Sequence, residues 1–149
     1  MRLEEEISQK FFKSEYHKAV VNLIFSYNWL IDSHVDFLKP YGISLQQFNI
    51  LRILRGQYPV PATIKLIKER MLDKMSDASR IVEKLRIKGF ADRKLCPHNR
   101  RNVDVIITQK GLDLLDKIDQ EEDKIMKTFS SLNEDEVKQL NSILDKMRG

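Results

Sequence analysis

Nine lysines and arginines crowd into one stretch of the chain, Lys74 to Arg101, with only three acids among them. The cations are Lys74, Arg80, Lys84, Arg86, Lys88, Arg93, Lys94, Arg100 and Arg101; the acids are Asp77, Glu83 and Asp92. The stretch carries +6 while the whole 149-residue chain carries +4, so everything outside it sums to −2. Basic side chains at this density can do two things to a polyanion. They displace counterions from its phosphates, and the planar arginine fork also binds guanine at two points. KMSDASRIVEKLRIKGF reads as a short helix, and RKLCPHNRRNVDVIITQKG as a β-hairpin with Arg100 and Arg101 near its tip. A basic helix beside a basic ribbon suits a duplex in size and sign, with the helix in a major groove and the ribbon along the backbone or minor groove. The chemistry implied is binding of double-stranded DNA.

Within that surface, Ser76, Asp77, Ser79, Arg80 and Lys84 form the polar face of the helix. An ordinary solvated helix face has the same pattern, and it is the adjacent basic hairpin that favours duplex contact. Arg80 is the best single candidate for base or phosphate recognition. Ser76 is a plausible N-cap. Arg100 and Arg101, between Asn99 and Asn102, could merely solubilise a loop; on an arm projecting from a basic lobe they reach a minor groove or phosphates, one facing DNA and the other bracing the hairpin.

Other chemistries are poorly supplied. There is no Ser/His/Asp or Cys/His arrangement, no phosphate-cradling glycine loop with only five glycines, and no metal motif. His17, His34 and His98 are scattered. The carboxylates Asp113, Asp116, Asp119, Glu121, Glu122 and Asp123 read as a solvated charge run. An enzyme is not expected, nor any cofactor or metal. The single cysteine, Cys96, excludes an intrachain disulfide and suits a reducing compartment. Glu4-Glu5-Glu6 stands where a signal peptide wants basic residues, and no apolar run approaches bilayer length. A cytoplasmic protein without a membrane partner is expected.

The elements that hold this surface follow from periodicity. Apolar residues recur at three- and four-residue steps from Leu3 to Leu38 without a proline, which predicts one long amphipathic helix, frayed before Phe11. Lys39-Pro40-Tyr41-Gly42 ends it. Ser44 and Gln47 have capping-box spacing ahead of a helix burying Phe48, Leu51 and Leu54. A turn with two prolines (57–61), a helix from Thr63 to Met71 and a short connection lead to the basic helix, whose inward face is Ala78, Ile81, Val82 and Leu85. Gly89 stands where a helix end wants a left-handed residue. Phe90–Leu95 and Val103–Thr108 make the hairpin. Thr108 then caps a helix running to about Thr128, and Asn133 with Glu136 starts a last one, striped by Val137, Leu140, Ile143, Leu144 and Met147. The long first helix has more apolar stripe than a small lobe covers, and burial against a second copy is the economical use for it.

Two helices joined by a short turn, followed by a basic hairpin, make a winged helix-turn-helix. SLQQFNILRIL and ERMLDKMSDASRIVEKLRIKGFADRKLCPHNRRNVDVIITQKGLDLL together resemble the MarR family of transcriptional regulators, over Ser44 to Leu115, about half the chain. The specific part is the spacing Lys-Gly-Phe, then Pro-x-Asn-Arg-Arg, then Thr-x-Lys-Gly. Two wing positions where the family usually carries aspartate hold Cys96 and Asn99 here, so the wing is either looser or braced differently. Asp77 stands where a neutral hydroxyl is common; it accepts from a cytosine amino group, caps the helix, or orders Arg80.

The resemblance implies a mainly α fold with a small β-hairpin wing, a winged helix-turn-helix with long helical dimerisation arms. Residues 1–38 would be the N-terminal dimerisation helix, 43–108 the DNA-binding lobe and 109–149 the C-terminal dimerisation helices. It implies a homodimer on a pseudo-palindromic operator, most commonly a repressor relieved by a small aromatic or anionic effector. Tyr27 and His34, seven apart on one helix face, are either core packing or part of the effector crevice that the family places between first helix and DNA lobe. A reading from a different class, a protein–protein adaptor that keeps the fold without specific DNA binding, draws on Asp77, Asn99 and the acidic fifth helix.

Overall fold

A computed structural model of the chain describes residues 1–96 and 99–149, with the side chains of all of these except 95, 96 and 99–102. Its helices are α1 (Leu3–Glu6), α2 (Glu15–Leu38), α3 (Leu45–Gln57), α4 (Ile64–Arg70), α5 (Ala78–Ile87), α6 (Gln109–Asp119), α7 (Asp123–Met126) and α8 (Glu134–Arg148). Strands β1 (Ala62–Thr63), β2 (Ala91–Cys96) and β3 (Asn99–Ile107) form an antiparallel sheet in the order β1-β3-β2. The mainly α chain with a small hairpin is therefore as the sequence implied.

One apolar core holds the lobe. Leu38, Ile50, Leu51, Leu54, Ile67, Met71, Val82, Leu85, Val105, Leu115 and Ile118 are all but inaccessible to solvent. Each such side chain is worth about 1.5–3 kcal/mol relative to exposure. Helix α3 reaches this core because its start is fixed locally: Ser44 Oγ accepts from the Gln47 amide (3.2 Å) while Gln47 Oε1 accepts from the Ser44 amide (3.1 Å). Strand β3 alternates as expected, with Val105 and Ile107 buried between half-buried neighbours.

The Lys-Gly-Phe and Thr-x-Lys-Gly motifs turn out to be two halves of one clasp. Gly89 takes φ +79° to end α5. Across from it, Thr108 Oγ1 donates to the Gly89 carbonyl (2.7 Å) and accepts from the Gly111 amide (3.1 Å). Lys110 donates to the Lys88 carbonyl (2.9 Å) and lies over the Phe90 ring (4.9 Å). Gly111 has to be glycine here, since a Cβ would stand 2.4 Å from the Phe90 carbonyl oxygen. The end of α5 and the start of α6 are thus locked at the base of the hairpin.

Four expectations differ from the structure. The predicted helix from Leu3 to Leu38 is broken: α1 ends at Glu6, Ser8 enters the left-handed region (φ +52°), and α2 begins only after Ser14. Ser14 has extended backbone and its hydroxyl accepts from the His17 amide (3.1 Å), which starts a new helix, and Lys18 pairs with Glu4 at 2.5 Å across the break. The predicted helix from Thr108 to about Thr128 stops at Asp119. The acids read as a solvated run are partly engaged there: Arg55 grips Asp119 (2.6 Å), Arg52 approaches Glu122 (3.9 Å), and Lys124 pairs with Glu121 (2.8 Å). Burial first, and then the nearby Glu121 carboxylate, push the Tyr41 phenol up. Finally, Ala62–Thr63 pairs with Val105 and Asp104 as a third strand that local sequence did not suggest.

Candidate nucleic-acid interface

Helix α4, the turn 71–77 and helix α5 make the helix-turn-helix, and side-chain hydrogen bonds hold the turn. Thr63 caps α4 by accepting from the Leu66 amide (3.1 Å). Beyond it, the Leu72 amide donates to Asn49 Oδ1 on α3 (3.0 Å). Asp73 then accepts from the Met75 amide (3.0 Å) and the Ser76 hydroxyl (2.6 Å). These bonds, the one from Ser76 foremost, hold the Asp73 carboxyl below its ordinary range. Because Asp73 takes the Ser76 hydroxyl, Ser76 is not the N-cap. Asp77 is: its Oδ1 accepts from the Arg80 amide at 3.1 Å. Of the three roles open to Asp77 in the sequence, the cap is the one it fills within the chain.

Helix α5 buries Ala78, Val82 and Leu85 and leaves Asp77, Ser79, Arg80 and Lys84 exposed, with Ser76 half-buried. Arg80 and Lys84 are one turn apart, so their charged ends share a face. Of the nine cations counted in the sequence, several are engaged inside the lobe. Lys88 donates to the Gly42 carbonyl (2.6 Å) and to Oε1 of buried Gln47 (3.0 Å), tying α5 to the start of α3. Arg86 and Arg93 both bind Glu83, at 2.8 and 3.1 Å. The two guanidinium groups, Arg86 first, hold the Glu83 carboxyl down at about 2. This pairing joins β2 to α5 and braces the hairpin from its base. Lys74 donates to the Glu69 carbonyl (2.6 Å). Arg80, Lys84 and Lys94 have no internal partner for their charged ends among the described residues. Sequence counting could not make this division, since it depends on contacts between α3, α5 and β2.

A groove of about 540 Å³ lies between the start of α3 and α5, lined by Ser44, Gln46, Ser76, Lys84 and Lys88 among others. Antiparallel pairing runs from Ala91↔Ile107 to Leu95↔Val103, then shifts before Cys96↔Asn99. The two tip arginines, Arg100 and Arg101, lie outside the residues whose side chains are described.

The crevice proposed from Tyr27 and His34 does not bring them together. His34 lines a cavity of about 230 Å³ with Ser33, Phe37, Lys124, Ile125 and Thr128, between α2 and the α7 region. Tyr27 is outside it and 61% exposed, so in the single chain it is not core. The His34 ring donates through Nδ1 to the Leu30 carbonyl (2.8 Å), since a carbonyl only accepts. At this size the cavity lies below the 300–1,000 Å³ or so usual for ligand sites and holds one small ring at most. Among the described residues no group of three or more potential ligands clusters to hold a metal, and no helix is long and apolar enough to cross a membrane.

No protein-family model matches the chain. Over 111 residues it is 32% identical to the uncharacterised HTH-type transcriptional regulator YkoM of Bacillus subtilis, covering 72% of this chain and 70% of that one. Among solved structures, the MarR transcription factor from Planctomyces limnophilus is 26% identical, with a TM-score of 0.70 over 91% of this chain and 98% of that one. A mutant MarR from E. coli complexed with operator DNA, 24% identical, has the same fold with a TM-score of 0.75 over 99% of both chains. With a capped basic helix, a braced hairpin and these relatives, the chain belongs to the MarR family of winged helix-turn-helix regulators, proteins that control transcription by binding DNA and are not enzymes.

Proposed function

We propose that the protein is a cytoplasmic homodimeric repressor that binds a pseudo-palindromic operator and releases it when a small aromatic or anionic ligand binds. The observation that carries the DNA-reading surface is the pair Arg80 and Lys84, exposed on one face of α5 with their charges uncommitted while the neighbouring cations are bound internally. In this reading Ser76, Asp77, Ser79, Arg80 and Lys84 meet a major groove, and Arg100 and Arg101 reach the minor groove or its phosphates. Residues 1–38 and 109–149 form the dimerisation arms around the lobe 43–108, with α6 anchoring the second arm in the lobe core.

A dimer is supported by apolar side chains that the single chain leaves in water: Val20, Ile24 and Tyr27 on α2, and Leu140, Ile143 and Met147 on α8. Two copies would set their α5 helices one duplex turn apart, about 34–36 Å. A ligand beside His34 and Lys124 would act between α2 and α7, where it could alter that spacing.

Selection of binding sites from random duplex DNA tests the reading. The expected product is a two-fold symmetric site. Arg80→Ala should cost about 1–3 kcal/mol per half-site and relax preference at one or two positions. Lys84→Ala should weaken all sequences alike and lower the log K against log salt slope by about one per subunit. Failure to enrich any symmetric site would refute operator binding and leave the adaptor reading standing.

A further inference from the structure

The turn between α4 and α5 holds two large apolar side chains in water: Leu72 is 85% exposed and Met75 94%. Loose loops expose such residues routinely, but this turn is pinned on every side. The Leu72 amide is held by Asn49, the Met75 amide and Ser76 hydroxyl by Asp73, and the Lys74 ammonium by the Glu69 carbonyl. The backbone is therefore set, and it sets Met75 outward. Met71, earlier in the same turn, is 1% exposed, so the core is within reach of a methionine here and Met75 does not use it. Met75 stands two residues ahead of the Asp77 cap, at the leading end of the helix that carries Arg80 and Lys84.

We propose that Met75 reads a thymine, laying its thioether chain against the 5-methyl group in the major groove. The inference rests on α5 being the recognition helix, whose N-terminal end meets base edges in this class of motif. Thymine is the one base that presents an apolar group in the major groove. An unbranched methionine adapts to such a group without requiring one fixed geometry. The surroundings favour DNA over an apolar protein partner. Lys74, Arg80 and Lys84 outnumber Asp73 and Asp77, whose carboxylates are occupied by the Met75 amide and Ser76 hydroxyl and by the Arg80 amide, and two apolar side chains beside such cations fit a polyanion's groove better than a greasy protein patch.

The test replaces thymine by deoxyuridine, which removes only the methyl group, one position at a time in a selected operator. At one position per half-site the wild type should lose about fourfold in affinity, the worth of one buried methyl, and roughly fifteenfold when both half-sites are changed. Met75→Ala should bind thymine and deoxyuridine operators equally, and Met75→Leu should restore most of the difference. At 94% exposure neither substitution endangers the fold. If Arg80→Ala loses operator preference but every deoxyuridine penalty survives in Met75→Ala, the Met75 contact is wrong while the recognition helix stands. If Met75→Ala leaves all DNA affinities unchanged, the side chain faces a protein or nothing, and the proposal falls. If the wild type selects no site, both readings fall together.

Discussion

Replacing Asp77 separates the two jobs a carboxylate could hold at the front of α5. Its Oδ1 accepts from the Arg80 amide at 3.1 Å, and among the described residues no other side chain takes that donor. Asp77→Ala returns the donor to water and should cost about 1 kcal/mol, within the 0.5–2 range for cap removal. Because α5 buries Ala78, Val82 and Leu85 in the lobe core, the loss should register in global unfolding and not as local fraying. Asp77→Asn keeps the acceptor and should cost a few tenths of a kcal/mol at most. Both substitutions also remove one negative charge per subunit from the face proposed to meet phosphates. At 4–8 Å from a phosphate in water that repulsion is roughly 0.5–1 kcal/mol, so binding to random duplex should tighten about two- to sixfold per subunit. Urea unfolding at one fixed protein concentration reads the first effect, and duplex titration at two salt concentrations the second. The two substitutions should therefore agree on DNA and disagree on stability. An Asp77→Ala protein as stable as wild type would refute the cap as an energetic contributor. Loss of preference for cytosine in Asp77→Asn would show that the carboxylate reads a base after all.

The Glu83 carboxyl sits at about 2 rather than 4.5, so the stability it contributes is complete above pH 4.5 and is lost as pH falls toward 2. Thermal unfolding of Glu83→Gln against pH should accordingly lack that part of the wild-type acid loss, and equal acid profiles would count against the brace. Gly111→Ala should destabilise by about 1–2 kcal/mol, because overpacking outweighs the usual helical gain from alanine. The Phe90 carbonyl, 2.4 Å from the new Cβ, cannot retreat without losing its bond from the Thr108 amide at 3.1 Å, so a more stable Gly111→Ala protein would contradict the clasp. Sedimentation equilibrium at micromolar concentration should give twice the 17.6 kDa chain mass, and Ile143→Glu on the exposed α8 face should shift it toward monomer. A monomeric wild type would remove the two-half-site model.

Features set by a few neighbouring residues were legible in the sequence. The Ser44–Gln47 and Asn133–Glu136 capping boxes, the Thr108 cap and the left-handed Gly89 each depend on contacts within a few residues, and each is present. The inward faces of α3 and α5 followed from helical spacing. The break at Ser14 was not legible because the apolar period runs through it unchanged; a serine able to cap does not say that it will. The choice between Ser76 and Asp77 as cap turned on Asp73, whose carboxylate claims the Ser76 hydroxyl. Strand β1 is two residues long and exists only because β3 offers it a partner. The surroundings of Tyr27 were not legible for a related reason: an apolar stripe on α2 looks the same whether it faces a core, a cavity or a second chain.

The charge count has a similar lesson, and it bears on how the surface recognises DNA. The sequence shows a net +6 stretch as if all its cations faced outward. Four of them instead bind within the lobe. Lys88 ties α5 to the front of α3, Arg86 and Arg93 close on Glu83 and fasten β2 to α5, and Lys74 tethers the turn. The Glu83 pairs are exposed, and exposed pairs individually contribute little to stability. Their consequence is geometric. Helix α3, the turn, α5 and the base of the hairpin become one body, so Arg80 and Met75 are presented in a fixed relation to the wing before any duplex arrives. Freezing that relation in advance lowers the ordering cost of binding and sharpens the difference between a matched and a mismatched site. In the proposed reading the internal cations thus act on selectivity, through the residues they hold in place, while Lys84 and Lys94 act on affinity and Arg80 on both.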